Sequence, residues 1–397
     1  MDIVLMEGLS ALVRWLHVIA GIAWIGSSFY FIHLDLSLKP NPGIPDGTQG
    51  EAWQVHGGGF YNMVKYMVAP SRLPDHLTWF KWEAYTTWLS GFGLLVVTYY
   101  VSADMFFIDR TVLNISPAVA IAISLVGLAG GWLAYDLMCR SALGRNETLL
   151  AAVMFVFLVA LAYLFTHLFS GRGAFIQMGA LIGTIMVANV FFVIIPNQKK
   201  VVAALVAGKV PDPALGAQGK QRSVHNNYLT LPVVFMMISD HYPLMFGTRY
   251  NWIIFTIVLV IGFLIRHFYN RRHAEQPNPW WTWAVAAIGV AVIAWLSWSG
   301  SRLSPEAALK ADPHATFAQA QDIVLSRCSM CHAAEPLWEG IVTAPRGVRL
   351  DTPEEIRRHA RDIEIYAVLT HTMPPDNVTE ISDADRARMA AGLQAAK

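Results

Sequence analysis

Cys328-Ser329-Met330-Cys331-His332 carries the most specific chemistry in the chain. Two thiols spaced Cys-x-x-Cys and followed directly by histidine form the attachment pattern of a c-type haem. The sulfurs bond the porphyrin, and the imidazole takes one axial position on the iron. A sixth ligand is then needed. Met373, in His371-Thr372-Met373-Pro374-Pro375, is the expected one, with His371 as a competitor. A zinc half-site is the other common use of a cysteine pair, but no second pair exists to complete it. The remaining cysteine, Cys139 beside Arg140, reads as a small apolar residue.

The elements that must position this motif are mostly apolar. The chain has 397 residues, 55% of them hydrophobic and 14% charged, with a mean hydropathy of +0.41. That is too apolar for a water-soluble protein of this size. The formal net charge of +1 provides no basic field for nucleic acid. The expected partner of such a surface is the lipid bilayer.

Eight segments approach the roughly 20 residues that cross a hydrocarbon core about 30 Å thick. They lie near 9–33, 82–101, 117–138, 148–169, 173–195, 225–246, 250–269 and 280–299, within a first domain of residues 1–300. The sixth is the weakest, because Pro232, Asp240 and His241 interrupt it. Met1–Gly8 carries Asp2 and Glu7 without a positive charge, so the first segment reads as a retained helix rather than a cleaved leader. Lysine and arginine gather in the loops after spans one, three, five and seven, among them Lys39, Lys65, Arg140, Lys199, Lys200, Arg271 and Arg272. The positive-inside rule puts those loops in the cytoplasm and both termini outside. Haem attachment to Cys-x-x-Cys-His on the outer side of a bacterial cytoplasmic membrane requires the same orientation.

A linker is expected at 301–313, followed by a small soluble domain at 314–397. Helices are expected at Phe317–Arg327, Pro353–Leu369 (capped by Asp351 or Thr352) and Asp383–Ala396, the arrangement of a small class I cytochrome c domain. The fold class is therefore all-α: a polytopic bundle of about eight spans with a small all-α domain behind it. The inner loop 34–81 is rich in tryptophan, tyrosine and glycine. It reads as an ordered element, with Gly57-Gly58-Gly59 allowing either a plain turn or close backbone approach.

Ionisable groups in spans are costly and so are site candidates. Towards the outer side lie His17, His167 and His241, candidates for the iron of a b-type haem held between facing helices. Trp15-Leu16-His17 with Trp24-Ile25-Gly26 is similar to the first helix of membrane protoporphyrinogen oxidases. Towards the inner side lie His33, Asp35, Asp136, Glu147, His225 with Asn226 and Asn227, and His267. The adjoining loop adds His56, Asp75 and His76, and the second span begins with Glu83.

Three stretches resemble the bacterial membrane-bound urate oxidases. They are Glu51 to Tyr61 (EAWQVHGGGFY), Trp79 to Trp88 (WFKWEAYTTW) and Arg222 to Pro232 (RSVHNNYLTLP). The resemblance implies an eight-span domain fused to a C-terminal cytochrome c. It implies oxidation of urate to 5-hydroxyisourate, with electrons leaving to the respiratory chain through a respiratory cytochrome c or terminal oxidase. A cytoplasmic substrate and an outer c-type haem would need a relay, which is the motive for the b-haem histidines. Urate is a planar anion, so Lys81 or Arg72 is expected to neutralise it and Asn226 and Asn227 to meet its edges. Trp53, Phe60 or Trp82 would stack on it. His56, His225 or Glu83 would accept the proton. A non-enzymatic membrane cytochrome and a redox-sensing transporter are the competing readings.

Overall fold

The computed structural model describes residues 3–70, 73–300, 314–338 and 341–394. The expected linker at 301–313 and Arg72 lie outside the described residues. Helices dominate, as the apolar runs require. They are α1 (Ile3–Ser37), α2 (Trp82–Leu94), α3 (Ala103–Phe106), α4 (Pro117–Arg140), α5 (Glu147–Thr166), α6 (Gly171–Ala188), α7 (Ile195–Val206), α8 (Pro213–Ile238), α9 (Pro243–Phe246), α10 (Asn251–His273) and α11 (Trp281–Ser299). The helix α2 continues as a π-helix over Leu95–Tyr100, and α6 runs into α7 through a second one at Asn189–Ile194.

Six of the eight expected spans are long and apolar enough to cross a membrane: those of α1, α4, α5, α6–α7, α10 and α11. The second and sixth are helical but more polar. The sixth also begins earlier than expected, at Pro213 rather than near 225. Asp212 caps this helix by accepting from the Ala214 amide, and Pro213 occupies the first turn, where its missing N–H costs nothing. Similar side-chain caps start α4 (Ser116), α5 (Asn146) and α6 (Ser170). Pro232 inside α8 is accommodated by Gly262 of α10, where a Cβ would stand 2.6 Å from the proline Cδ. The bundle core centres on α6, whose Phe175, Met178, Leu181 and Ile182 are buried and which packs against α2, α4, α5 and α8.

The inner loop is ordered, as expected, but as a β-hairpin. Strand β1 (Thr48–His56) pairs antiparallel with β2 (Gly59–Tyr66), with Val55 opposite Phe60 and His56 opposite Gly59. Gly57 and Gly58 take φ of 60° and 78° at the turn with open space around them. They serve as a plain turn, not a close backbone approach. The hairpin is rooted at one end of the bundle: Lys65 pairs with Asp35, Lys39 with Glu275, and Tyr30 donates to Gln54.

The opposite end carries a second helical unit with its own core, built from Val324, Ile356, Val368, Met389 and Leu393. Its helix Phe317–Arg327 opens with a capping box on Thr316 and Gln319. Thr352, one of the two expected caps, starts Pro353–Arg358, and the segment then continues as Ala360–Ile363 and a π-helix to Leu369. The last helix covers Asp383–Gln394. This unit docks on the bundle through Asp376, which pairs with Arg110 at 2.8 Å, and through Arg346, which donates to His241.

Candidate functional site

At the C-terminal unit, Cys328 ends the helix Phe317–Arg327 and its carbonyl accepts from the amides of Cys331 and His332. The whole Cys-x-x-Cys-His motif is thus one tight turn that brings both thiols and the imidazole together. His332 Nδ1 lies 2.9 Å from the Val348 carbonyl oxygen, to which it donates. Its Nε2 lone pair is left free to ligate, as a carbonyl accepting from the other ring nitrogen ordinarily arranges. Burial pushes the Cys328 thiol up to about 12 and raises that of Cys331 as well. Met373 packs against the core of this unit, and Arg386 holds its backbone carbonyl at 2.8 Å. Met373 and His371 both line a cavity of about 350 Å³ at the junction with the bundle, across from Phe106, His167 and Arg172.

The three outer histidines face separate partners. His17 Nδ1 lies 2.9 Å from the Thr87 carbonyl and 3.3 Å from Ser90 Oγ on α2, where Gly91 leaves room for the ring. His167 donates to Tyr163 on its own helix and is exposed. His241 receives a hydrogen bond from Arg346.

Towards the hairpin end, two polar networks lie inside the bundle. The first joins α4, the π-turn and α8. Arg222 is 3% exposed, and its guanidinium reaches Asp136 at 2.7 Å, Asn189 at 3.2 Å and the face of Tyr135. Asn189 donates to Tyr135 Oη and Asn226 Oδ1, and Asn226 donates to the Met186 carbonyl. Tyr135 Oη also meets His225 Nδ1 at 2.9 Å. Asp136 takes a second arginine, Arg140, at 2.6 Å. The π-turn that starts at Asn189 turns this amide into the network, a common use of such an irregularity.

The second network joins α1, α8 and α10. Asn227 is fully buried, and its Oδ1 accepts from Arg266 Nε at 3.3 Å and Asn270 Nδ2 at 3.0 Å. Arg266 is 4% exposed and also donates to Asn270 Oδ1, while Phe29 covers its guanidinium face at 3.8 Å. Near the same end of α1 and α10, the His33 and His273 rings meet edge to face at 4.4 Å.

The sequence-predicted inner residues are therefore split. Asn226 and His225 belong to the first network and Asn227 to the second. Lys81 sits before α2 with its ammonium 5.5 Å from the Trp82 ring centre, and Glu83 is in the first turn of that helix. His56, Trp53 and Phe60 are exposed on the hairpin. Hydrogen bonds from Asn41 and Asn62 hold the neighbouring Glu51 carboxyl below its ordinary range. Sequence reasoning missed Tyr135, Asn189, Arg266, Asn270, Phe29 and His273. The available signal was Arg266, a cation inside an apolar helix.

A family model described as urate oxidase N-terminal matches residues 3–297, the whole bundle with its hairpin. No curated protein and no solved structure matches the chain.

Proposed function

The chain belongs to the urate oxidase N-terminal family, and from that premise we propose that it is a membrane-bound urate oxidase of the bacterial cytoplasmic membrane. In this reading urate is oxidised to 5-hydroxyisourate at the hairpin end of the bundle. The electrons leave through a C-terminal cytochrome c domain to a respiratory cytochrome c or terminal oxidase. The observation that carries the urate reading is the family match across residues 3–297. The electron route is supported by the position of Met373 in the cavity between the C-terminal unit and the bundle.

The residues present suit a c-type haem. Cys328 and Cys331 would bond it, and His332 Nε2 and Met373 would ligate its iron. A haem so held accepts electrons one at a time, and thioether ligation favours the reduced state. Val348 fixes the His332 tautomer through its carbonyl, and Arg386 fixes the Met373 loop. The three histidines expected to hold a b-type haem have separate hydrogen-bond partners: His17 meets the Thr87 carbonyl, His167 the Tyr163 carbonyl and His241 Arg346.

Urate and one water give 5-hydroxyisourate, two protons and two electrons. Proton acceptance thus falls to a basic side chain at the hairpin end. Of the three expected acceptors, His225 is tied to Tyr135 in the first network, His56 is exposed on the hairpin and Glu83 stands in the first turn of α2. The arginine- and lysine-bearing loops lie at this end, and the C-terminal unit docks at the other. That arrangement supports a cytoplasmic substrate face and a periplasmic haem domain.

Ferricyanide serves as the test acceptor. Under nitrogen, the purified chain is expected to turn urate into 5-hydroxyisourate with two ferricyanide reduced per urate. Turnover only with oxygen, accompanied by hydrogen peroxide, would overturn the reading.

A further inference from the structure

Arg266 is a buried cation without an anion among the described residues. Its partners are the amide oxygens of Asn227 and Asn270 and the ring of Phe29, and no carboxylate of the described residues pairs with it. A guanidinium withdrawn from water and matched only by neutral dipoles is expensive to hold, and proteins normally pair such a charge. Around it, buried polar atoms are left over. Asn227 Nδ2, His33 Nδ1, His273 Nδ1 and Gln54 Nε2 have no hydrogen-bond partner among the described residues. Orphaned polar atoms in a native interior call for a specific explanation, such as an absent ligand. Gln54 belongs to the same end, since it accepts from Tyr30, the neighbour of Phe29. Helical spacing brings the rest together. Phe29 and His33 are one turn apart on α1, and Arg266, Asn270 and His273 follow one another at four- and three-residue steps on α10, so each set lies on one face.

We propose that this junction of α1, α8 and α10 is the binding site for the urate anion, with Arg266 as its counter-ion. The inference rests on the urate oxidase reading above and adds where the substrate sits. Urate is a flat anion whose rim alternates lactam N–H donors and carbonyl acceptors. The guanidinium edge meets the ionised part of that rim, and the free Asn227 amide donates to a carbonyl. Asn270 can donate or accept. Phe29 supplies an apolar face. The His33–His273 pair lies about one turn further towards the hairpin, where an imidazole can accept a proton. The residues at the rim of the junction, Phe29, His33, Asn270 and His273, are half-buried, which leaves a path from the hairpin end.

The test is equilibrium dialysis of labelled urate against the purified full chain, reduced with dithionite so that binding is read without turnover. Wild type is expected to bind one urate per chain. Arg266→Gln is expected to weaken binding on the order of 100-fold, the loss of a charge-assisted contact. Arg266→Lys, which keeps the charge but loses the fork, is expected to weaken it about tenfold. Asn227→Asp keeps the shape and places a carboxylate against Arg266, so it should fold at least as well as wild type and still lose urate at least tenfold. Arg222→Lys, in the other network, should bind urate as wild type does.

Wild-type affinity in both Arg266→Gln and Asn227→Asp would overturn the site while leaving the urate oxidase reading intact. No urate binding by wild type would overturn both. Loss of a non-covalent haem from Arg266→Gln with urate affinity unchanged would assign the cation to a haem carboxylate and overturn the proposal.

Discussion

Arg222 and Arg266 sit in adjacent helices, each almost completely buried, and differ in one respect. Arg222 meets Asp136 at 2.7 Å, and that carboxylate is shared with Arg140. Among the described residues, Arg266 meets only amide oxygens and an aromatic ring. The first network is closed: Tyr135, Asn189 and Asn226 satisfy one another and the backbone. The second is open, with the Asn227 amide unpartnered. A closed network fixes how helices pack. An open one holds a charge ready for something that the chain itself does not supply. Sequence alone makes the two arginines look alike, and the presence or absence of a carboxylate across the helix interface separates them.

The largest effect expected from this contrast is on stability. Arg222→Ala leaves Asp136 only the exposed Arg140 and empties the centre of a closed network, so it should destabilise the bundle by about 3–5 kcal/mol. Thermal melting of the detergent-solubilised chain would show it, and a melt like wild type would mean that the pair is not structural. Gly262→Val is the next step down. A side chain there collides with the Pro232 ring, and overpacking of this kind costs about 1–3 kcal/mol. Arg266→Gln should melt within about 1 kcal/mol of wild type, because no buried anion is left behind. A loss as large as that of Arg222→Ala would erase the distinction between the two networks.

The C-terminal unit can be sharpened in the same way. Met373→Ala should lower the reduction potential of the c-type haem by more than about 59 mV, a tenfold change in a one-electron equilibrium. Redox titration reads this directly, and an unchanged potential would move the sixth ligand elsewhere, with His371 next in line. The smallest effect concerns the thiols before haem attachment. With its pKa near 12, Cys328 holds a thiolate fraction on the order of 10⁻⁴ at pH 8. Half-exposed Cys331 should therefore be alkylated first in haem-free protein, as peptide mass mapping would reveal.

Much of the architecture could be read from the chain before any coordinates. Apolar run length placed the helices, and Cys328-x-x-Cys331-His332 marked its own turn, because both features are local. The helix of the sixth span starts at Pro213, before the expected apolar run near 225, and its polar first half includes Arg222, whose partner Asp136 comes from another helix and is reported by no local pattern. The glycine triplet was legible as a turn, and the hairpin it closes was read only as order. Asn227 was identified as a site residue from its type, yet its neighbour Asn226 faces the opposite network. Successive residues on a helix point about 100° apart, so adjacency in sequence does not make them one site. Arg266 was passed over because a cation near a helix end ordinarily reaches for the interface. Only tertiary packing shows that it turns inward.

The central claim is that the bundle draws electrons from urate and delivers them to the iron held at His332. Oxidised purified protein, titrated with urate under nitrogen with no other acceptor, tests it most directly. The account predicts that the reduced c-haem absorbance rises to a plateau, with two haems reduced per urate consumed. A haem that dithionite reduces but that urate leaves oxidised would contradict it.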